Sequence, residues 1–177
     1  LILTDHEYAN IVELARKGKL LIGIDRGIAR SVFTAMPLEM IYERTGEKPY
    51  LEKAVVSGLF LSSIAALLAS FVFSWFAFSF WSIALIPVIA IIFFFWVGQN
   101  ILPNKGVWGV SIILAGLMGA GYFQVFPSND TAMFAICLAA AVWFMRLSYV
   151  IATVFLRMMV LRNKQAFEWI EPQIGQG

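Results

Sequence analysis

The side chains best suited to chemistry are few and far apart. The chain has one histidine, His6, and one cysteine, Cys137. A transition-metal site needs several nitrogen or thiolate ligands, and a thiol nucleophile needs an imidazole within hydrogen-bond reach. One residue of each type, far apart in the sequence, assembles neither within a single chain. The lone thiol also excludes an intramolecular disulfide and a CxxC redox motif. His6 falls in the first turn of an expected surface helix, where a solvated or cap-adjacent role outweighs a catalytic one. Cys137 falls in an apolar helix, where a small apolar filler outweighs a reactive thiol. No Ser-His-Asp set and no phosphate-cradling glycine loop is present. No cofactor, no metal and no catalytic residue is therefore assigned.

Arg146 is the one charge placed inside an apolar helix. It lies about 22 Å along that helix from Thr131, at 1.5 Å per residue. A hydrocarbon core is about 30 Å thick. The guanidinium then needs only several ångströms of side chain to reach cytoplasmic headgroups, which favours snorkelling. Contact with a lipid phosphate or another anion, or a polar anchor between helices, is the functional alternative.

The remaining candidates are small residues. Gly58, Ser62, Ala66 and Ser70 recur at every fourth position, and Ala115 pairs with Gly119 as Gly116 does with Ala120. Small side chains let helix backbones approach where the surrounding solvent is itself apolar. The contact is expected within one helical bundle, or with a further subunit or copy. Ser57, Ser62, Ser63 and Ser70 are too few for a continuous water-lined stripe.

The elements that position these residues follow from charge. No Asp, Glu, Lys, Arg or His occurs between Ala54 and Asn104. One membrane span needs about 20 apolar residues, so this run holds two. The chain is 60% hydrophobic and only 14% charged, against about 25% charged in a globular domain. The deficit is local, because the first 53 residues hold eight basic and eight acidic side chains. The expected fold is all-α: a polytopic membrane protein with four transmembrane helices at about 53–74, 79–98, 106–126 and 131–152. Residues 1–52 form an amphipathic cytoplasmic or interfacial segment, 53–156 the membrane domain, and 157–177 a cytoplasmic helical extension and tail.

Local signals refine this. Thr4 and Glu7 have capping-box spacing, and Gly18 suits a left-handed C-cap, which predicts a helix over 5–17. Leu3 and Tyr8 are spaced as a hydrophobic staple. Residues 19–46 predict two short amphipathic helices divided at Pro37, lying on the membrane surface or against a cytoplasmic partner, with a small folded subdomain as the competing picture. Pro49 opens span one, and Pro87 kinks span two, whose bulky Ile91–Trp96 stretch suits lipid or a broad groove. Span four continues as one helix to about Ile170. No cleavable signal peptide is expected, since the first apolar span begins after residue 53. The first residue is Leu, as in an incomplete or processed N-terminus.

A net charge of +2 with interleaved signs argues against nucleic acid. The expected partners are the lipid bilayer, other membrane subunits or copies of the chain, and a cytoplasmic partner at residues 1–46. The function expected is a non-catalytic membrane subunit or scaffold of a larger inner-membrane complex, for example in secretion, conjugation or energy coupling. A homo-oligomeric channel or membrane-disrupting effector is the alternative, and a membrane enzyme acting on lipid fits worst.

Basic residues orient the chain. Eight Lys and Arg precede span one, Lys105 lies in the 2–3 loop, and Arg146, Arg157, Arg162 and Lys164 lie on or after span four. All fall on one side if both termini and that loop are cytoplasmic. In a Cys137→Ser background, a cysteine placed within 75–81 is expected to react with a membrane-impermeant thiol reagent outside the cell, and one within 100–105 to stay unlabelled. The reverse pattern would invert the topology.

Overall fold

The computed structural model describes residues 4–20, 22–77, 92 and 105–170. Apart from Ile92, span two lies outside the described residues, as do Leu3 of the expected staple and Pro87. Every secondary-structure element among the described residues is an α-helix: α1 (Asp5–Arg16), α2 (Arg26–Thr34), α3 (Leu38–Thr45), α4 (Tyr50–Ala77), α5 (Lys105–Tyr122), α6 (Asn129–Arg162) and α7 (Lys164–Ile170). The chain divides into two compact units, one of residues 1–57 and 148–177, the other of residues 58–147. Hydropathy cuts the chain into three successive segments, whereas contacts join its first segment to its last.

In the first unit, local signals place the helices. Thr4 Oγ1 accepts from the Glu7 amide at 3.3 Å, and the Glu7 carboxylate accepts from the Thr4 amide at 2.8 Å, completing the capping box that starts α1. Gly18, at φ +68°, turns the chain away after α1. Asp25 caps α2 by accepting from the Ile28 amide at 2.9 Å. Pro37 separates α2 from α3, and Gly46, at φ +70°, ends α3. Left-handed φ carries no side-chain penalty at glycine.

The two short helices do not lie alone on a surface. Val32, Phe33 and Ile41 are fully covered and share a core with Val56 of α4, with Ala152, Leu156, Met159 and Val160 of α6, and with Ala166, Phe167 and Ile170 of α7. Burying a side chain such as Phe33 is worth about 1.5–3 kcal/mol, more than a short amphipathic helix gains from its propensity. Polar contacts fasten the same elements. Ser57 Oγ donates to the Phe33 carbonyl at 3.2 Å, and Lys53 Nζ donates to the Met36 carbonyl. The Arg30 guanidinium stacks over the Tyr149 ring at 4.3 Å, and Arg44 lies over Trp169 at 5.8 Å.

The expected single helix to Ile170 is interrupted at Asn163. The Asn163 side chain accepts from the Gln165 amide at 2.8 Å and donates through Nδ2 to the Thr45 carbonyl. A short amide side chain competes with the helical ladder for backbone partners. Here it caps α7 and bonds a carbonyl at the end of α3. The break leaves last-turn carbonyls of α6 without intrahelical donors, and Tyr8 supplies one, its hydroxyl donating to the Val160 carbonyl at 2.9 Å. The Tyr8 ring also meets Phe167 edge-on, with centroids 5.8 Å apart.

In the second unit, α5 and α6 run antiparallel. Near one end a Cβ on Gly121 would meet Ala132 and Ile136; towards the other, Trp143 Nε1 donates to Ser111 Oγ at 2.8 Å. α5 ends at Tyr122, short of the expected 126, because the chain turns at Gln124, whose φ is +55°. Ser128 Oγ then accepts from the Thr131 amide at 3.2 Å and caps the start of α6.

α4 and α6 have 28 and 34 residues and are long and apolar enough to cross a membrane. At 1.5 Å per residue they measure about 42 and 51 Å.

One ion pair joins α1 to α7: Lys164 Nζ donates to Asp5 Oδ1 at 2.6 Å. This hydrogen bond, and then the ammonium charge, holds the Asp5 carboxyl below its usual 3.8, while the same bond holds Lys164 above 10.5. The Asp5 contribution to stability is present above pH 3.8 and is lost as pH falls through the lowered folded value. The Lys164 contribution is present below pH 10.5 and is lost as pH rises through the raised one. Thermal unfolding of Asp5→Asn is expected to lie below wild type between these limits and to merge with it in stronger acid. An offset that persists once Asp5 is protonated would show that the pair is not its source.

Candidate helix-packing site

The four-residue row on α4 is not covered evenly. Gly58 is exposed, Ser62 and Ala66 are half-buried, and Ser70 is buried. Each four-residue step overshoots a full turn by about 40°, so three steps rotate the row by about 120°. Its two ends therefore face different surroundings. The covered seam of α4 instead passes through Val56, Ser63, Ser70 and Ser74, all at 0–1% exposure. Steps of seven drift by only about 20°, which keeps Val56, Ser63 and Ser70 aligned. That spacing is visible in the sequence and is the signal that identifies Ser63; the four-residue stripe passes it by.

The covered serines turn inward on their own helix. Ser63, Ser70 and Ser74 donate to the carbonyls of Phe60, Leu67 and Phe71 at 2.7, 2.6 and 2.8 Å. Such back-bonding satisfies the hydroxyl without a partner helix or water. These serines therefore act as small, self-satisfied contact residues.

The glycines of the apolar helices divide into two kinds. Gly121 is packed, since a Cβ there would meet Ile136 at 3.4 Å and Ala132 at 3.6 Å. Gly58, Gly109, Gly116 and Gly119 have open space, with nothing within 4 Å of such an atom. Ala115 and Gly116 are exposed, and Gly119 and Ala120 are half-buried. Large apolar side chains beside them are uncovered as well, including Leu61 at 63%, Leu68 at 57% and Ile112 at 70%. Among the described residues nothing approaches these small residues, so packing between the described helices does not account for them.

Arg146 is 5% exposed, so its guanidinium is enclosed by protein and does not reach out along the helix surface. Ala141, Val142 and Met145 beside it are also buried, which closes that side of α6. His6 is exposed and Cys137 half-buried. No group of three or more His, Cys, Asp or Glu side chains that could hold a metal occurs among the described residues.

No family model, no curated protein sequence and no solved structure matches this chain. The chemistry of the site therefore rests on its own residues.

The Trp143–Ser111 hydrogen bond fixes the register of α5 against α6. Ser111→Ala leaves the indole N–H without its acceptor, and the variant is expected to be less stable by about 0.5–2 kcal/mol. Thermal or denaturant unfolding in detergent micelles measures this, and an unchanged midpoint would mean the indole has another acceptor.

Proposed function

We propose that the chain is a non-catalytic integral membrane subunit that assembles with other membrane helices, either further subunits or copies of itself, within a larger inner-membrane complex of the secretion, conjugation or energy-coupling kind. It crosses the bilayer four times, with α4, α5 and α6 supplying three of the crossings and the apolar run at about 79–98 the fourth. α4 leaves the first unit and α6 returns to it, so that unit lies on a single side. The excess of Lys and Arg in that unit makes the side cytoplasmic, with both termini there, and its surface is where a cytoplasmic partner would meet residues 1–46.

The observation that carries this reading is the set of glycines with no described residue beside them. Gly58, Gly109, Gly116 and Gly119 sit on helices whose large apolar side chains are also uncovered. A helix apolar on all sides belongs in a core or in lipid, and the uncovered side chains argue for lipid. In lipid, helices associate by close backbone approach at small residues. The serines of α4 do not favour a hydrated pore, since three of the covered ones spend their protons on their own helix.

The test is the mass of the native assembly in mild detergent. Co-purifying subunits are expected; a closed ring of identical copies with no other protein would sink the scaffold function. No described residue lies within 4 Å of a Cβ added at Gly58 or Gly116, so Gly58→Leu and Gly116→Leu are expected to keep helicity and the monomer fold while assembly is lost. Wild-type assembly by both variants would remove these faces from the contact.

A further inference from the structure

The first unit holds a cleft that the helix-packing site does not use. Its volume is ≈ 100 Å³, and Glu47, Lys48, Glu52 and Arg162 line it together with the half-buried Phe155. Two acidic and two basic residues thus border one small space. None of the four is in an ion pair among the described residues; Lys48 instead lies over the Tyr42 ring at 5.0 Å. The charges are balanced, yet they do not neutralise one another by contact.

We infer that this cleft holds the ammonium–phosphate headgroup of a zwitterionic membrane lipid. An anionic headgroup would bring its charge against Glu47 and Glu52, and a purely cationic ligand would meet Lys48 and Arg162. A zwitterion satisfies both pairs. Phe155, half-buried and packed edge to face on the covered Phe33 with centroids 6.3 Å apart, adds apolar surface for the methylenes beside the ammonium. The cleft is small, at ≈ 100 Å³, which suits a compact headgroup better than a nucleotide.

Position supports the assignment, and here it rests on the membrane reading above. Glu52 lies in the first turn of α4 and Arg162 in the last turn of α6. For a chain inserted as proposed, the cleft borders the cytoplasmic start of span one, next to the headgroup layer. Tyr50 and Leu51, beside it, are 60% and 69% exposed, as suits residues at a lipid–water boundary.

Native mass spectrometry of the full chain in detergent, titrated separately with phosphatidylethanolamine and phosphatidylglycerol of identical acyl chains, tests this. Phosphatidylethanolamine is expected to be retained about tenfold more strongly, and Glu52→Gln and Arg162→Gln each to weaken its retention several-fold while leaving phosphatidylglycerol unchanged. Equal retention of the two lipids by wild type overturns the proposal without recourse to any variant, as does undiminished retention by the doubly substituted chain. Free phosphoethanolamine separates the sources: competition only at far higher concentration supports a lipid ligand, and binding as tight as the lipid's overturns it. Alkaline carbonate extraction separates the two levels of inference. A chain released from membranes sinks the membrane function and the lipid site together; one that stays embedded yet shows no headgroup preference sinks the lipid site alone.

Discussion

A helix that is apolar on every side has no face to give to water, and α6 keeps that character past its middle. At about 51 Å it is longer than a hydrocarbon core of about 30 Å. The side chains of its last turns, Ala152, Leu156, Met159 and Val160, are covered by protein. The first unit is the means by which this is done. α2 and α3 lay Val32, Phe33 and Ile41 on the end of α6, α7 folds back with Phe167 and Ile170, and α1 closes over them through Tyr8. Residues from both ends of the sequence are thereby committed to one core.

The cover holds because helix ends meet one another. α3 stops at Gly46 in a left-handed conformation, where a Cβ would come within 3.4 Å of the Gln165 side chain. α6 stops at Asn163, which bonds Thr45 at the end of α3 and caps α7 in the same arrangement. Backbone groups that a helix end leaves without partners are satisfied here by neighbouring chain ends, so the breaks in the helices are also their joints. Tyr8 and the Val160 carbonyl form a third joint of this type.

What the sequence made legible is local or periodic. The Thr4–Glu7 capping box, the turn at Gly18 and the apolar runs that became α4, α5 and α6 each depend on residues a few positions apart, and each is seen in the structure. The break at Asn163 was not legible, because its partner Thr45 lies far away in sequence and the flanking residues are good helix formers. Asp25 follows directly on the apolar run Leu20–Ile24, and its role as the cap of α2 depends on where that helix starts. The row from Gly58 to Ser70 looked like one face because a spacing of four is close to a helical turn. The residual rotation accumulates, and the buried serines of α4 follow the seven-residue spacing instead. The cleft at Glu47, Glu52 and Arg162 joins the start of one long helix to the end of another, so no linear pattern announces it.

The pairing of first and last segments also sets an order on biogenesis. Tyr8 and the carbonyl it bonds are 152 positions apart. At a synthesis rate of about 5–20 residues per second the acceptor emerges roughly 8–30 s after the donor. Through that interval Phe33 and Ile41 have been made and the helix that covers them has not. The apolar faces of the nascent N-terminal segment therefore stay without their cover until the final helix returns to close the core.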